Sequence, residues 1–274
     1  MKDCREEWYD KEAKVAVTIV DVTSAAQELA RGHLAGPTST HFLTEALASV
    51  ALLGAEMSET DETVILQMKC KGPLGGYNVE CTSEGTLRGY AEKKVLEDFD
   101  GLGKPDAKKV VGEAQIQVTR SVPGRILSQG ISTSVDGYLA GSLQRKACIR
   151  TEVAVSDEVE VLEARGVMVE VLPDSKIGSI GAIDSIGVDP LLRILDEKSP
   201  VMLSVASRNI LKQLGLENAE LRKTTPLKFA CRCSPDRAIA MLAALSDEER
   251  KALPPTIDIT CHMCGRTFTV KTKE

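Results

Sequence analysis

The chain has 274 residues, with 34 Lys and Arg against 40 Asp and Glu for a net charge of −6. Its composition, 43% hydrophobic and 27% charged, is that of a folded globular chain of about two domains. An acidic pI near 5.4 excludes coating of nucleic acid or anionic membrane by bulk charge. One Trp, four Tyr and four Phe are too few for a base-stacking platform, and eight cysteines are too sparse for a disulfide scaffold.

The opening run Met1-Lys2-Asp3-Cys4-Arg5-Glu6-Glu7 is charged and has no apolar signal-peptide core behind it. The most apolar run, residues 46–55, is broken by Ser49 and Gly54 and falls short of the ~20 residues of a membrane span. A reducing, cytoplasmic compartment with no membrane partner is expected, or an organelle if a presequence has been removed. Isolated cysteines there are thiols.

Val15–Val20 is strand-like, and Ser24 with Gln27 three residues later predicts a capping box opening a short helix to about Arg31. Gly36-Pro37 punctuates, and Phe42, Leu43, Ala46, Leu47, Val50 and Leu53 then recur at helical spacing. Two apolar runs, Thr63–Met68 and Tyr77–Cys81, flank the turn Gly72-Pro73-Leu74-Gly75-Gly76 and predict a hairpin, extended by Thr86–Tyr90. Further strands are expected over 114–119, 150–155 and 167–172. Strands returning without regularly alternating helices predict an α+β core rather than a doubly wound parallel sheet.

From Ile177 the texture changes, and residues 177–230 predict a helical linker between a mixed sheet-and-helix core domain, 1–176, and a small C-terminal unit, 231–274. Asp189-Pro190 opens one helix through Leu195. Pro200 opens a second, with Met202, Leu203, Ala206, Ile210, Leu211 and Leu214 on one side and Gly215 as its stop. Two readings stand for this segment: a helical pair packed on the core, or a labile amphipathic linker whose apolar stripe can be uncovered. In the C-terminal unit, Ser234-Pro235-Asp236 is a helix opening followed by Ile239, Leu242 and Leu245 on one face. Ser246 and Glu249 predict a capping box, Pro254-Pro255 a stop, and 257–260 and 266–270 two strands joined at 261–265. A unit of fewer than ~50 residues with so few apolar groups rarely folds without a staple.

Cysteine supplies the staple. Cys231-x-Cys233 and Cys261-x-x-Cys264, separated by 27 residues, present two thiol pairs whose convergence makes a tetrahedral Cys4 zinc site. Gly265 supplies the freedom of a tight knuckle, and Lys228, Arg232, Arg237 and Arg266 lie close enough in sequence to favour thiolate over thiol. His262 is expected as an exposed knuckle residue, because four thiolates already close the site. The zinc is either purely structural or the sensor of a redox switch, in which oxidation to disulfides ends ligation and unfolds the unit.

The same residues resemble a known family. The C-x-C…C-x-x-C spacing, preceded by Thr225-Pro226-Leu227-Lys228-Phe229 and followed by Gly265-Arg266, resembles the zinc domain of the redox-regulated holdase chaperones, the thirty-three-kilodalton heat-shock chaperonins. Arg31-Gly32-His33 with the 46–54 helix, Lys71–Gly76 with Arg88-Gly89-Tyr90, and Gly166–Val169 with Leu172-Pro173 extend the resemblance over nearly the whole chain. It implies a non-enzymatic, ATP-independent holdase with Cys231, Cys233, Cys261 and Cys264 as zinc ligands. Oxidation would pair Cys231 with Cys233 and Cys261 with Cys264, release zinc, and destabilise a segment of about 177–225. The partners implied are unfolded or partly folded clients and a second copy of the chain in an active homodimer.

The family often carries Ser-Glu-Gln after a core Tyr, where this chain has Tyr138…Ser142-Leu143-Gln144. Cys4, Cys70, Cys81 and Cys148 lie outside the zinc pattern and are expected as buried small hydrophobes; His33 and His41 are expected on helix faces. The alternative is a zinc-ribbon interaction module with purely structural zinc. Seven Lys and Arg against six Asp and Glu over 231–274 leave it no basic patch for nucleic acid. A thiol–disulfide oxidoreductase is disfavoured because Cys261–Cys264 falls between strands, not at a helix N-terminus.

Overall fold

A computed structural model describes residues 3–173, 175, 195 and 205–272. Two sheets enclose two helices. Strand β1 (Cys4–Asp10) pairs with β2 (Val15–Asp21) and on its other edge with β10 (Glu220–Pro226); β2 pairs with β9 (Val161–Val171), and β9 with β8 (Lys146–Val155). The result is an antiparallel five-stranded sheet in the order β10-β1-β2-β9-β8. The second sheet is built on β3 (Thr63–Cys70), β4 (Gly76–Thr82), β5 (Thr86–Ala91), β6 (Ala114–Val122) and β7 (Arg125–Ser132). A two-residue strand, β11 (Lys228–Phe229), joins it in parallel alongside β5, giving the order β11-β5-β4-β3-β6-β7. The expected α+β class holds.

Helices α1 (Thr23–His33) and α2 (Pro37–Leu53) pack between the sheets, and two short helices, α3 (Ala107–Val110) and α4 (Val135–Gly141), follow later in the core. Pro37 sits in the first turn of α2 with Gly36 as N-cap, where the missing N–H removes nothing. One apolar cluster joins Leu47, Val50, Ala51 and Leu52 of α2 to Val20, Ala164 and Met168 of one sheet and Val64, Leu66, Val79 and Leu87 of the other. Because α2 is covered on nearly every side, it shows no strong amphipathic stripe.

The predicted capping box of α1 does not form. Val22 is the N-cap, and the first-turn N–H groups of Ser24 and Ala25 donate instead to the buried carboxylate of Asp3, at 3.0 and 2.7 Å. Gln27 is used elsewhere: its amide Nε2 donates to the Val159 carbonyl, and its Oε1 accepts from the Val161 N–H. Strand β1 escaped the sequence reading altogether. Its second residue, Arg5, is only 1% exposed, with Nη1 on the Ala51 carbonyl at 3.2 Å and Nε on Glu7 at 3.2 Å.

The outer face of the five-stranded sheet carries Trp8, Val15, Val17, Ile19, Val167, Val169 and Val171. It is covered by Leu195 and by α5 (Ser207–Gln213) through Ile210, Leu211 and Leu214. Gly215 stops this helix at φ +72°, as expected. Its start differs: Ala206 is extended at ψ 147° and forms the N-cap, so Ala206 is not part of the helix. The helix expected from Asp189-Pro190 lies outside the described residues except for Leu195, and Met202 and Leu203 lie outside them as well. The last residues of the 177–230 segment are strand: β10 completes one sheet and β11 the other.

The C-terminal unit follows its sequence signals closely. Ser234 caps α6 (Pro235–Ala243), with its hydroxyl accepting from the Arg237 N–H. Ser246 and Glu249 form the expected capping box of α7 (Asp247–Ala252), and β12 (Thr256–Thr260) pairs antiparallel with β13 (Thr267–Lys271). Ala238 and Leu242 turn inward onto Val270, whereas Ile239, expected on that face, is exposed. Among the described residues no helix is long and apolar enough to cross a membrane.

Candidate metal centre

The two cysteine pairs converge from opposite sides. Cys231 and Cys233 lie in the extended stretch between β11 and α6, and Cys261 and Cys264 in the knuckle between β12 and β13. The knuckle is closed by its own backbone: Cys261 N–H donates to the Arg266 carbonyl at 2.8 Å, and Gly265 N–H to the Cys261 carbonyl at 2.9 Å. Gly265 sits at φ +71°, the left-handed conformation that favours glycine. The four sulfur atoms all lie within 4.8 Å of one another. Cys231 Sγ is 3.8 Å from Cys261 Sγ, and Cys233 Sγ is 3.4 Å from Cys264 Sγ.

Those spacings fit a metal. Four thiolates around an ion at about 2.3 Å stand about 3.8 Å apart at the corners of a tetrahedron, close to both contacts. The four cluster cysteines are reduced thiols. The cluster can therefore hold a metal ion, and its all-thiolate donor set is that of a closed structural site. His262 is exposed, as expected, and edge-on to Tyr90 at 5.7 Å between ring centres. His33 and His41 are both buried in helices, the latter 3.3 Å from Glu45.

The electrostatics are asymmetric. Burial alone would push the Cys231 thiol up, but the Cys233 backbone N–H, the Arg88 guanidinium and the neighbouring thiols bring it down to about 7. Cys233 and Cys264 are pushed up, first by burial and then by sharing hydrogen bonds and charge with the other sulfurs. Successive negative charges in one small space oppose each other, and a bound cation relieves that opposition.

The basic group beside Cys231 comes from the core, not from the flanking residues. Arg88 on β5 directs Nη1 at Cys231 Sγ at 3.6 Å and pairs through Nε with Glu80, while Arg232 turns to the same Glu80 at 3.0 Å. Glu80 is buried on β4. The knuckle rests on the end of α1, backbone against backbone. A Cβ on Gly32 would stand 2.6 Å from the Cys264 carbonyl oxygen, and one on Gly265 2.0 Å from that of Gly32. Gly89 N–H donates to the Met263 carbonyl at 3.2 Å, and His33 Nε2 bonds the Gly89 carbonyl at 2.8 Å. Burial, together with the charge of Lys94, holds His33 below its ordinary value despite the carbonyls around it. Sequence reading missed this seat. Arg31-Gly32-His33 and Arg88-Gly89-Tyr90 stood out as motifs, but only the fold shows that both face the cysteines.

The family described as Hsp33 protein matches residues 7–271. The chain belongs to the Hsp33 family. Among its relatives, a 33 kDa chaperonin of Thermus thermophilus is 30% identical, over 94% of this chain and 81% of its own. One from Symbiobacterium thermophilum is 28% identical, over 92% and 88%. The crystal structure of the 33 kDa chaperonin of Thermotoga maritima shares the Hsp33 fold at a TM-score of 0.83 and 19% identity, covering 99% of this chain and 96% of that one.

Outside the cluster, Cys81 and Cys148 are buried as expected, whereas Cys4 and Cys70 are only half-buried. Leu143 packs partly buried against the main apolar cluster.

Proposed function

We propose that this Hsp33 chain is an oxidation-activated, ATP-independent holdase in which Cys231, Cys233, Cys261 and Cys264 hold zinc in the reduced state. The observation that carries the reading is the convergence of four thiols from two sequence pairs within 4.8 Å, on a unit with very little apolar core of its own. Bound zinc supplies a divalent charge that keeps four thiolates together and joins the two halves of residues 231–274.

Peroxide is the oxidant class that suits such thiolates. Two thiolates give two electrons to one hydrogen peroxide, whose O–O bond breaks; it takes up two protons from solvent and leaves as two waters, and one S–S bond forms. Done twice, this pairs Cys231 with Cys233 and Cys261 with Cys264. A disulfide sulfur lacks the charge a zinc ligand needs, so ligation ends. The small Ala238–Leu242–Val270 cluster then has too little buried area to stay folded. The linker, 177–230, loosens with it. Removal of Leu195 and α5 uncovers Trp8, Val15, Val17, Ile19, Val167, Val169 and Val171, an apolar sheet face for unfolded or partly folded clients. A second copy of the chain completes an active homodimer, in a compartment that is reducing except under stress.

The test follows zinc release and suppression of a reporter's thermal aggregation in one peroxide time course. Coincident release and suppression are expected. Release with no gain of suppression leaves the zinc structural and overturns the reading.

A further inference from the structure

The outer edge of β5 belongs to no sheet partner longer than two residues. What covers it is the stretch leading into and out of the cysteine cluster. Lys228 N–H donates to the Gly85 carbonyl at 3.0 Å, Ala230 N–H to the Leu87 carbonyl at 3.1 Å, and the Met263 carbonyl accepts from Gly89 N–H at 3.2 Å. The only chain pairing here is the parallel register Lys228↔Thr86 and Phe229↔Leu87 among the described residues. Leu227 is buried in the main apolar cluster, and Phe229 packs partly buried against it, while Lys228 between them is exposed. Residues i and i+2 of a strand share a face, so the edge offers two apolar seats on one side and tolerates a polar residue between them.

We infer that the edge of β5, residues 85–89, is a client-binding site for an extended polypeptide segment of apolar–x–apolar pattern, masked in the zinc-bound state by residues 227–230 and Met263. The inference rests on the oxidation-activated reading above. When the cysteine unit unfolds, Met263 leaves Gly89, and the two-residue parallel ladder keeps only what precedes it, the Leu227 N–H bond to the Asp3 carbonyl at 3.0 Å and the end of β10 on β1, which loosen with the linker. Gly85 and Leu87 then present free carbonyls and Gly89 a free N–H, the template on which an extended chain adds as a new strand. Main-chain hydrogen bonds are the same for every sequence, which suits a site for unrelated unfolded clients. The apolar seats vacated by Leu227 and Phe229 select segments that a folded protein keeps buried.

The probe is a fluorescein-labelled peptide carrying this chain's own residues 224–230, Thr-Thr-Pro-Leu-Lys-Phe-Ala, with a control peptide changed at Leu227→Asp and Phe229→Asp. Anisotropy is read on the full chain, zinc-loaded or peroxide-treated, alongside backbone hydrogen exchange at Leu87 and Gly89. Binding at least about tenfold tighter to the oxidised chain is expected, with competition against the aggregating reporter and no binding of the Asp peptide. Gly89 should lose exchange protection on oxidation and regain it with peptide. If the oxidised chain suppresses aggregation while Gly89 stays protected, or while the two peptides bind alike, the edge site is wrong and the chaperone reading stands. If oxidation brings no suppression, the chaperone reading fails and takes the edge site with it.

Discussion

Replacing Gly32 by Ala tests whether the cysteine unit is seated on the core. Gly32 is helical and lies in the last turn of α1, where Ala is intrinsically the better residue by roughly 0.5–1 kcal/mol. Propensity alone therefore predicts a slightly more stable protein. The added methyl, however, stands 2.6 Å from the Cys264 carbonyl oxygen, and that atom is knuckle backbone, which cannot rotate away. Restoring an ordinary contact of roughly 3.4 Å moves the knuckle by close to an ångström, an overpacking cost of about 1–3 kcal/mol. Because α1 is helical in both the docked and undocked forms, the propensity gain cancels in docking, and a knuckle that yields in part leaves about 1–2 kcal/mol against the docked arrangement, or roughly 5- to 30-fold in the docking equilibrium. Cys264, 4% exposed under this contact, becomes accessible in the undocked form. The assay is peroxide-driven zinc release, followed with a chromogenic chelator, in parallel with urea unfolding of the reduced protein. Zinc release should quicken by about five- to thirtyfold, with the core transition unchanged or slightly raised. Release within twofold of the parent, with Gly89 as protected from exchange as before, would refute the seat.

Four further outcomes follow from the same structure. Cys233→Ser should leave metal content well below one equivalent by elemental analysis, because three thiolates no longer close the tetrahedron. Cys81, whose thiol burial pushes up to about 11, should escape iodoacetamide at pH 8 in the folded, zinc-stripped chain while cluster cysteines are alkylated, as read by peptide mass spectrometry. Arg5→Ala should destabilise the core by about 2–4 kcal/mol in urea, since it opens a cavity and strands the Ala51 carbonyl. Glu62 is buried, which would raise its carboxyl, but Arg120 and the Ser58 and Glu59 N–H groups hold it below the usual carboxylate range. Its stabilising contribution is thus full above the ordinary carboxylate pKa and lost as pH falls through the lower folded one. Glu62→Gln should weaken the fold at pH 7, and the difference from the parent should shrink in acid denaturation below about pH 4.

The legible parts of this chain are those where local chemistry and tertiary structure agree. Ser234-Pro235, the Ser246–Glu249 box and the glycine stop at Gly215 act within a few residues, so their signals survive without knowledge of the fold. The cysteine spacing was legible because thiols at knuckle spacing have few other uses. The hidden parts depend on partners far away in sequence. Strand β1 reads as a charged tail until Arg5 meets Ala51 and Glu7, and the cap of α1 comes from Asp3, twenty residues earlier than the helix it closes. Strand β10, Glu-Leu-Arg-Lys-Thr-Thr-Pro, is mostly exposed and has no apolar alternation to mark it; only pairing with β1 makes it a strand. The seat on Gly32, Glu80, Arg88 and Gly89 was beyond sequence reading for the same reason, because proximity to Cys231 and Cys264 is a product of the fold.

In the proposed function, loss of zinc from the cysteine cluster switches holdase activity on. This is tested most directly by titrating the reduced, zinc-loaded full chain with peroxide while reading zinc release, disulfide connectivity and aggregation suppression on the same samples. One zinc per chain should leave as Cys231–Cys233 and Cys261–Cys264 form, with suppression rising in proportion. Full suppression by the reduced chain with zinc still bound, or complete zinc loss without suppression, would contradict it.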